Sequence, residues 1–328
     1  MITFFVDGGE KLGLGHIYRS INLALTFGRK YKIKFFLINK SKKKTEIKLL
    51  KKIFKTSKLN LKFITNNLNK EFRIDKNQNI IFDHPKIKIK EIKFANKFYS
   101  KTIIIDDENT LKNYDCDLLI NQNSYSKNFN YKTANQNLIK LLGSNYTILK
   151  EKPIKVNFLL NNNIKKILLL MGATDVKNYY KYLVKKLDKY KLYIVVNNKV
   201  IKDKTIKLKN YKNLELLSNK NVKSCIVDKK IDVAITCCGS SLYDLFSFRI
   251  PIIGVKCSID QNNAYKFYTK NKAIIGSSIS YVKKNLRKLN YKKRLLLLKN
   301  SNKFYNYNGK YILRDKIIKL IKKNDKRV

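Results

Sequence analysis

The sequence predicts an α/β protein made of two doubly wound, Rossmann-like domains facing a cleft. Three observations carry this. Short apolar runs alternate with helical stretches along most of the chain, the pattern of a mostly parallel sheet with helices on both faces. A polar stretch, Lys150-Glu151-Lys152-Pro153 and then Asn161-Asn162-Asn163, interrupts that pattern, which then restarts. Carboxylates recur where strands should end, at Asp7, Asp83 and Asp106-Asp107, and ligands of such folds sit outside the carboxyl ends of the strands.

The first element is the apolar run Ile2 to Val6, a buried strand. It leads into Asp7-Gly8-Gly9-Glu10-Lys11-Leu12-Gly13-Leu14-Gly15-His16, then Ile17-Tyr18-Arg19. Glycines permit a tight backbone here, and a helix starts at about His16. Strand, glycine-rich turn and helix start form an arrangement that receives phosphate, because the first-turn amides point outward. At 100° per residue Ile17, Ile21, Ala24, Leu25 and Gly28 share one face, which packs on the sheet. His16 and Arg19 lie together off that face. A helix N-terminus disfavours a cation, which leaves a histidine there able to accept a proton. Both a capping histidine and a functional one fit the position, and the adjacent arginine favours function.

Further strands are read at Ile33–Ile38, Leu61–Ile64, Ile80–Asp83, Thr102–Asp106 and Leu118–Ile120, with helices at Thr45–Phe54 and Ile87–Tyr99. The domain boundary falls near residue 155, dividing the chain into 1–155 and 156–328. The second half gives strand Ile167–Met171, turn Gly172–Asp175, helix Tyr179–Leu187 and strand Leu192–Val196. Strand Val233–Thr236, helix Leu242–Phe248 and strand Ile250–Val255 follow, then a helical tail from about Asn290 to Ile321. Cys238-Gly239-Ser240-Ser241-Leu242-Tyr243-Asp244 is a second phosphate-binding candidate: small residues at a helix start, with a carboxylate one turn inside that can accept from ribose. A serine N-cap on a packed helix reads equally well there. Likewise Thr174 or Asp175 can simply cap the helix that follows.

With 328 residues, 44% hydrophobic and 12% aromatic, the chain is long and apolar enough for two cores, which excludes global disorder. No apolar run approaches the roughly 20 residues of a membrane span, and the start lacks a signal-peptide core. A cytoplasmic protein is expected. Net charge is +49, from 72 Lys+Arg against 23 Asp+Glu, a figure that invites a nucleic-acid reading. The lysines are spread over the whole chain among many Asn and Ile, however, as AT-rich coding would leave them. Lys283–Arg294 and Lys316–Arg327 come nearest to a cluster and read as solvated helix faces. The five cysteines include no C-x-x-C pair and there are two histidines, His16 and His84, so a zinc site lacks material. Cys237-Cys238 ends a buried strand as a small hydrophobic pair, and no structural disulfide is expected.

Taken together these stretches resemble the UDP-sugar hydrolase of pseudaminic acid biosynthesis and its relatives in spore-coat polysaccharide synthesis, built on the GT-B fold of many glycosyltransferases. The family's G-x-G-H-x-x-R matches Gly13–Arg19, and its strand-end Asp-His matches Asp83-His84. Ile104–Asp107 and Asp117–Asn121 follow in order. Gly143, Tyr146, Leu149 and Glu151 match a further segment. Met171–Asp175, Cys238–Asp244 and Asp260-Gln261 belong to the second domain. Departures are Phe5, Pro85, Ala173, Asp244 for a longer Glu, and Asp260 for Asn.

The resemblance implies hydrolysis of a UDP-linked amino sugar to free sugar and UDP, with no metal and no cofactor. His16 is the implied general base. Asp7, Gly13, Gly15, Arg19, Asp83, His84, Tyr146, Gly172 and Thr174 are the implied substrate-binding residues. Gly239, Ser240, Ser241, Asp244, Asp260 and Gln261 are the implied nucleotide-binding set. Arg19 either holds the first helix or the phosphates. The partner expected is a UDP-sugar, with no specific nucleic acid and a monomeric state. The rival readings are a glycosyltransferase on the same fold, in which His16 deprotonates an acceptor hydroxyl, and a non-catalytic nucleic-acid-binding protein.

Overall fold

A computed structural model of the chain describes residues 1–9, 13–38, 44–64, 78–154, 160–172, 175, 177–196, 199–218 and 222–322. The chain divides into two compact units. The first contains β1 (Ile2–Asp7), α1 (Gly15–Ala24), β2 (Ile33–Ile38), α2 (Lys44–Thr56) and β3 (Asn60–Ile64). It continues through β4 (Asn79–Asp83), α3 (Ile89–Phe98), β5 (Lys101–Ile105), β6 (Leu118–Asn121) and β7 (Ile139–Leu142). The second contains β8 (Lys166–Leu170), α4 (Tyr179–Lys186), β9 (Lys191–Val196), α5 (Lys199–Thr205), β10 (Leu214–Ser218) and α6 (Val222–Lys229). It closes with β11 (Val233–Cys237), α7 (Ser241–Ser247), β12 (Ile252–Val255), α8 (Asn262–Lys270), β13 (Ile275–Ser277), α9 (Val282–Lys288) and α10 (Tyr291–Ser301). The last helix, α11 (Gly309–Lys322), returns to the first unit.

Each unit is built on one parallel sheet. The first has seven strands in the order β3-β2-β1-β4-β5-β6-β7, the second six in the order β10-β9-β8-β11-β12-β13. In both, the order reverses beside the first strand, at β1/β4 and β8/β11, which is where doubly wound folds place ligands. Each unit has the doubly wound α/β fold expected of it. Strands buried on both faces read as continuous apolar runs: every residue of β1 and of β4 is buried. Phe5, Phe82 and Ile104 point to one face of the first sheet, packing with Ile92 and Ala95 of α3. In the second unit Leu169, Ile194, Ile235 and Ile253 join Leu183 and Val184 of α4 in one core.

Three expectations are corrected. The helical tail is not one helix and does not all stay with the second domain. It breaks after Ser301, and the segment from Asn306 on belongs to the first unit. Gly309 explains the docking, since a Cβ there would stand 2.4 Å from the Thr147 carbonyl oxygen. Only glycine allows that approach. Lys310 Nζ donates to the Leu149 carbonyl at 3.2 Å, and Leu313, Ile317 and Leu320 are buried at helical spacing. The first helix is shorter than its apolar face predicted: α1 stops at Ala24, a 3-10 turn follows, and Leu25 is 52% exposed. A disulfide joins Cys237 and Cys257, with Cα atoms 5.7 Å apart. Parallel pairing sets Cys237 opposite Val255, so Cys257, two residues on, reaches the same edge. Sequence spacing alone does not reveal that neighbourhood.

Candidate functional site

In the first unit the chain leaves β1 at Asp7 and folds back on itself, the Gly9 N–H donating to the Gly13 carbonyl at 2.9 Å. Gly13 sits at φ 79°, a conformation that favours glycine. Gly15 then opens α1 directly after Leu14, and no side chain caps the helix. His16 and Arg19 follow, one turn apart. Both reach towards Asp83, the last residue of β4.

Asp83 has no exposed surface. One carboxylate oxygen accepts from Arg19 Nε and from the Ser20 hydroxyl, each at 2.8 Å. The other accepts from Arg19 Nη2 at 2.5 Å and lies 2.8 Å from His16 Nδ1. Arg19 Nη1 meets both oxygens of Asp107, at 2.7 and 2.6 Å. Asp107 lies two residues past β5 and also accepts from Asn123 Nδ2 at 3.0 Å. One guanidinium therefore spans two carboxylates, and the histidine stands at the end of the chain of bonds. Burial by itself raises Asp83. The charges of Arg19 and then His16, with their hydrogen bonds, more than offset it and hold the carboxyl well below its ordinary range. Burial likewise disfavours the Arg19 cation, but Asp107 and Asp83 overcome it and raise the group above its usual value.

The Arg19 side chain is 5% exposed and its donors are engaged with protein carboxylates, which ties α1 to Asp83 and Asp107. Asp83, expected among substrate-binding residues, is fully covered and serves His16, Arg19 and Ser20. His16 keeps a 21% exposed side chain. Its Nδ1 is turned to Asp83.

The neighbouring pair Asp7 and His84 occupies the opposite face of the sheet. Strand side chains alternate, so Asp83 points to α1 while His84 stacks on Phe5, ring centres 6.0 Å apart. His84 Nδ1 accepts from the Lys86 N–H at 3.0 Å and is 3.7 Å from Asp7 Oδ2. Asp7 and His84 are both buried. Tyr146 lies in the 3-10 turn after β7, three strands from β4, beside the start of α11.

In the second unit Gly172 follows β8 at φ 75°; Thr174 lies outside the described residues. Asp175 accepts from the Tyr179 and Tyr180 amides at 2.9 and 3.1 Å and thereby caps α4. Burial raises its carboxyl against those bonds. The other candidate lies at the start of α7. Ser240, exposed and directly before that helix, makes no side-chain cap bond. Asp244 stands half-buried in the first turn. Gln261 Oε1 accepts from the Cys257 N–H at 3.0 Å, and its Nε2 lies 3.7 Å from where a Gly239 Cβ would be. Together with the disulfide, this bond draws Asp260-Gln261 to the turn Gly239–Ser241, at the carboxyl ends of β11 and β12.

Sequence reasoning did not single out Ser20 or Asn123, and gave Asp107 no role in the site. Asp106 and Asp107 were visible as strand-end carboxylates, but adjacent residues serve opposite faces. Asp106 closes its own loop, accepting from the Thr110 amide at 2.9 Å and the Tyr114 hydroxyl at 2.5 Å, whereas Asp107 turns to Arg19.

No family model matches the chain. Among curated proteins, an uncharacterized protein of Methanocaldococcus jannaschii is 25% identical over 292 residues, covering 82% of this chain and 58% of that protein. The chain thus spans under two thirds of that relative's length. Among solved structures, Staphylococcus aureus MnaA in complex with UDP superposes with a TM-score of 0.61 at 12% identity, covering 98% of this chain and 97% of that one. UDP-GlcNAc 2-epimerase from Neisseria meningitidis, bound to UDP-GlcNAc, gives 0.55 at 11%, over 97% and 100%. UGT2 of Phytolacca americana, complexed with UDP-2-fluoroglucose and pterostilbene, gives 0.58 at 7%, over 98% and 100%. At such identities the likeness establishes the fold, two parallel α/β units of GT-B type.

Proposed function

We propose that the chain processes a UDP-sugar, with the nucleotide held by the second unit and the base supplied by the first, and that its reaction is hydrolysis of a UDP-linked amino sugar. The observation that carries this is the bonded chain His16–Asp83–Arg19–Asp107 at the strand-order reversal of the first sheet. A histidine whose Nδ1 is turned to a buried carboxylate has a fixed ring and a free Nε2, the arrangement of a general base. The UDP complexes of similarly folded proteins support the nucleotide half of the reading. The Gly13–Arg19 match to the hydrolase family supports the choice of hydrolysis.

In this reading Nε2 of His16 takes a proton from water as its oxygen bonds to the anomeric carbon. The bond from that carbon to the phosphate oxygen breaks, and UDP leaves with the electron pair. The imidazolium that forms is stabilised by Asp83. Amides at Gly239–Ser241 meet charge on the diphosphate, and Asp244 accepts from ribose. Asp260 and Gln261 sit beside that turn and complete the nucleotide contacts.

A second reading is glycosyl transfer, favoured by the likeness to a plant protein captured with a UDP-sugar analogue and pterostilbene. The same base then deprotonates an alcohol. The test is incubation with UDP-N-acetyl amino sugars, with and without an acceptor, followed by product analysis. Free sugar and UDP at catalytic rates without acceptor support hydrolysis. Strict dependence on an added acceptor supports transfer, and an epimerised UDP-sugar with no release of UDP contradicts both.

A further inference from the structure

His16 Nδ1 has two neighbours that ask opposite things of it. Asp83 Oδ1, at 2.8 Å, can only accept, and Arg19 Nη2, at 3.0 Å, can only donate. If Nδ1 carries the proton, it donates to Asp83 and Nε2 keeps a free lone pair. If Nδ1 is bare, it accepts from Arg19, Nε2 carries the proton, and the ring presents a donor to the substrate. The tautomer decides whether the residue is a base, and the bond at one ring nitrogen sets the state of the other.

Where Arg19 sends its hydrogens settles the contest. Its Nε and Nη2 edge lies flat along Asp83, and Nη1 is held from the other side. Asp107 does that with both oxygens, and is itself steadied by Asn123. With the guanidinium clamped between two carboxylates, the Nη2 hydrogen facing Asp83 is committed, and a bare Nδ1 would set its lone pair against Asp83 Oδ1 at 2.8 Å. Without Asp107, no hydrogen bond to Nη1 among the described residues keeps the fork from turning towards the imidazole. We infer that Asp107, 88 residues from Arg19 in sequence, is a positioning residue that acts through Arg19 to fix His16 as the Nδ1–H tautomer.

The experiment needs no substrate. The chain holds two histidines, so a long-range proton–nitrogen spectrum of the 15N-labelled protein, taken where the imidazoles are neutral, shows two ring systems. Those missing from His16→Gln belong to His16. The expected wild-type pattern is a protonated Nδ1 and a bare Nε2. Asp107→Asn should move a measurable fraction of His16 to the Nε2–H form, and Asp107→Glu should restore the original pattern. A wild-type His16 protonated on Nε2 overturns the inference with no variant needed. So does a folded Asp107→Asn protein whose spectrum is unchanged. In turnover, Asp107→Asn should lower kcat on the order of 10–10²-fold with UDP affinity unchanged, and should cost nothing further in a His16→Ala background. Additive losses mean a merely structural role and count against the inference. This turnover arm rests on His16 being the base: full activity of His16→Ala ends that reading, while the spectra still decide the tautomer.

Discussion

Asp83 is fully buried, four hydrogen-bonding groups converge on it, and its charge is tied to Arg19. Removing one partner of such a pair typically costs about 3–5 kcal/mol, because the other charge is left buried and unpaired. The same carboxyl makes stability depend on pH. Its folded-state pKa is depressed below the ordinary carboxylate value, so its contribution is complete above about pH 4 and is lost as pH falls through the folded value. Thermal unfolding followed from pH 6 down to pH 3 should show a steeper loss of Tm in the wild type than in Asp83→Asn. Parallel slopes would mean that Asp83 does not titrate as the geometry requires. The residue also illustrates how far a motif can be read. Asp83-His84 is visible as a pair in sequence, and period-two alternation already says that the two point apart. Nothing in the sequence says that Arg19 is shared with Asp107.

At the scale of elements, what was legible is what is buried on both faces. β1, β2 and β4 are near-continuous apolar runs, and their sequence limits agree with the structure within a residue or two. β7, Ile139–Leu142, escaped because it is an edge strand with two exposed residues, too short and too mixed to show a period. β10, β13 and helices α5, α6 and α8 were likewise passed over, each too short to show a clean stripe. Docking of α11 on the first unit hangs on one glycine against Thr147, a long-range neighbourhood no local pattern encodes. The disulfide was missed for the same reason. It closes a separation of 20 residues, and a loop of that size confers roughly 3 kcal/mol in the chain-entropy account. Dithiothreitol should therefore lower the Tm of the wild type and leave that of Cys257→Ser untouched. Equal shifts in both proteins would place the effect elsewhere.

At the scale of the molecule, the two sheets repeat one strand order and place their candidate residues at the same kind of position, the carboxyl ends of strands where the order reverses. That repetition was legible from the alternation of runs and from the polar break, and the cut falls between Lys150 and Glu151. The net charge of +49 is spread along the sequence of both units, and charge of that kind attracts anions in general without specifying a ligand. Specificity has to come from the clusters themselves, and the account stands on His16. The most direct measurement compares wild type and His16→Ala in two assays, UDP release from a UDP-linked amino sugar and UDP binding by calorimetry. The expected result is a loss on the order of 10²–10⁴ in kcat with UDP affinity nearly unchanged, since a base acts on the transition state and not on the bound nucleotide. Turnover by His16→Ala within a factor of a few of the wild type would contradict it.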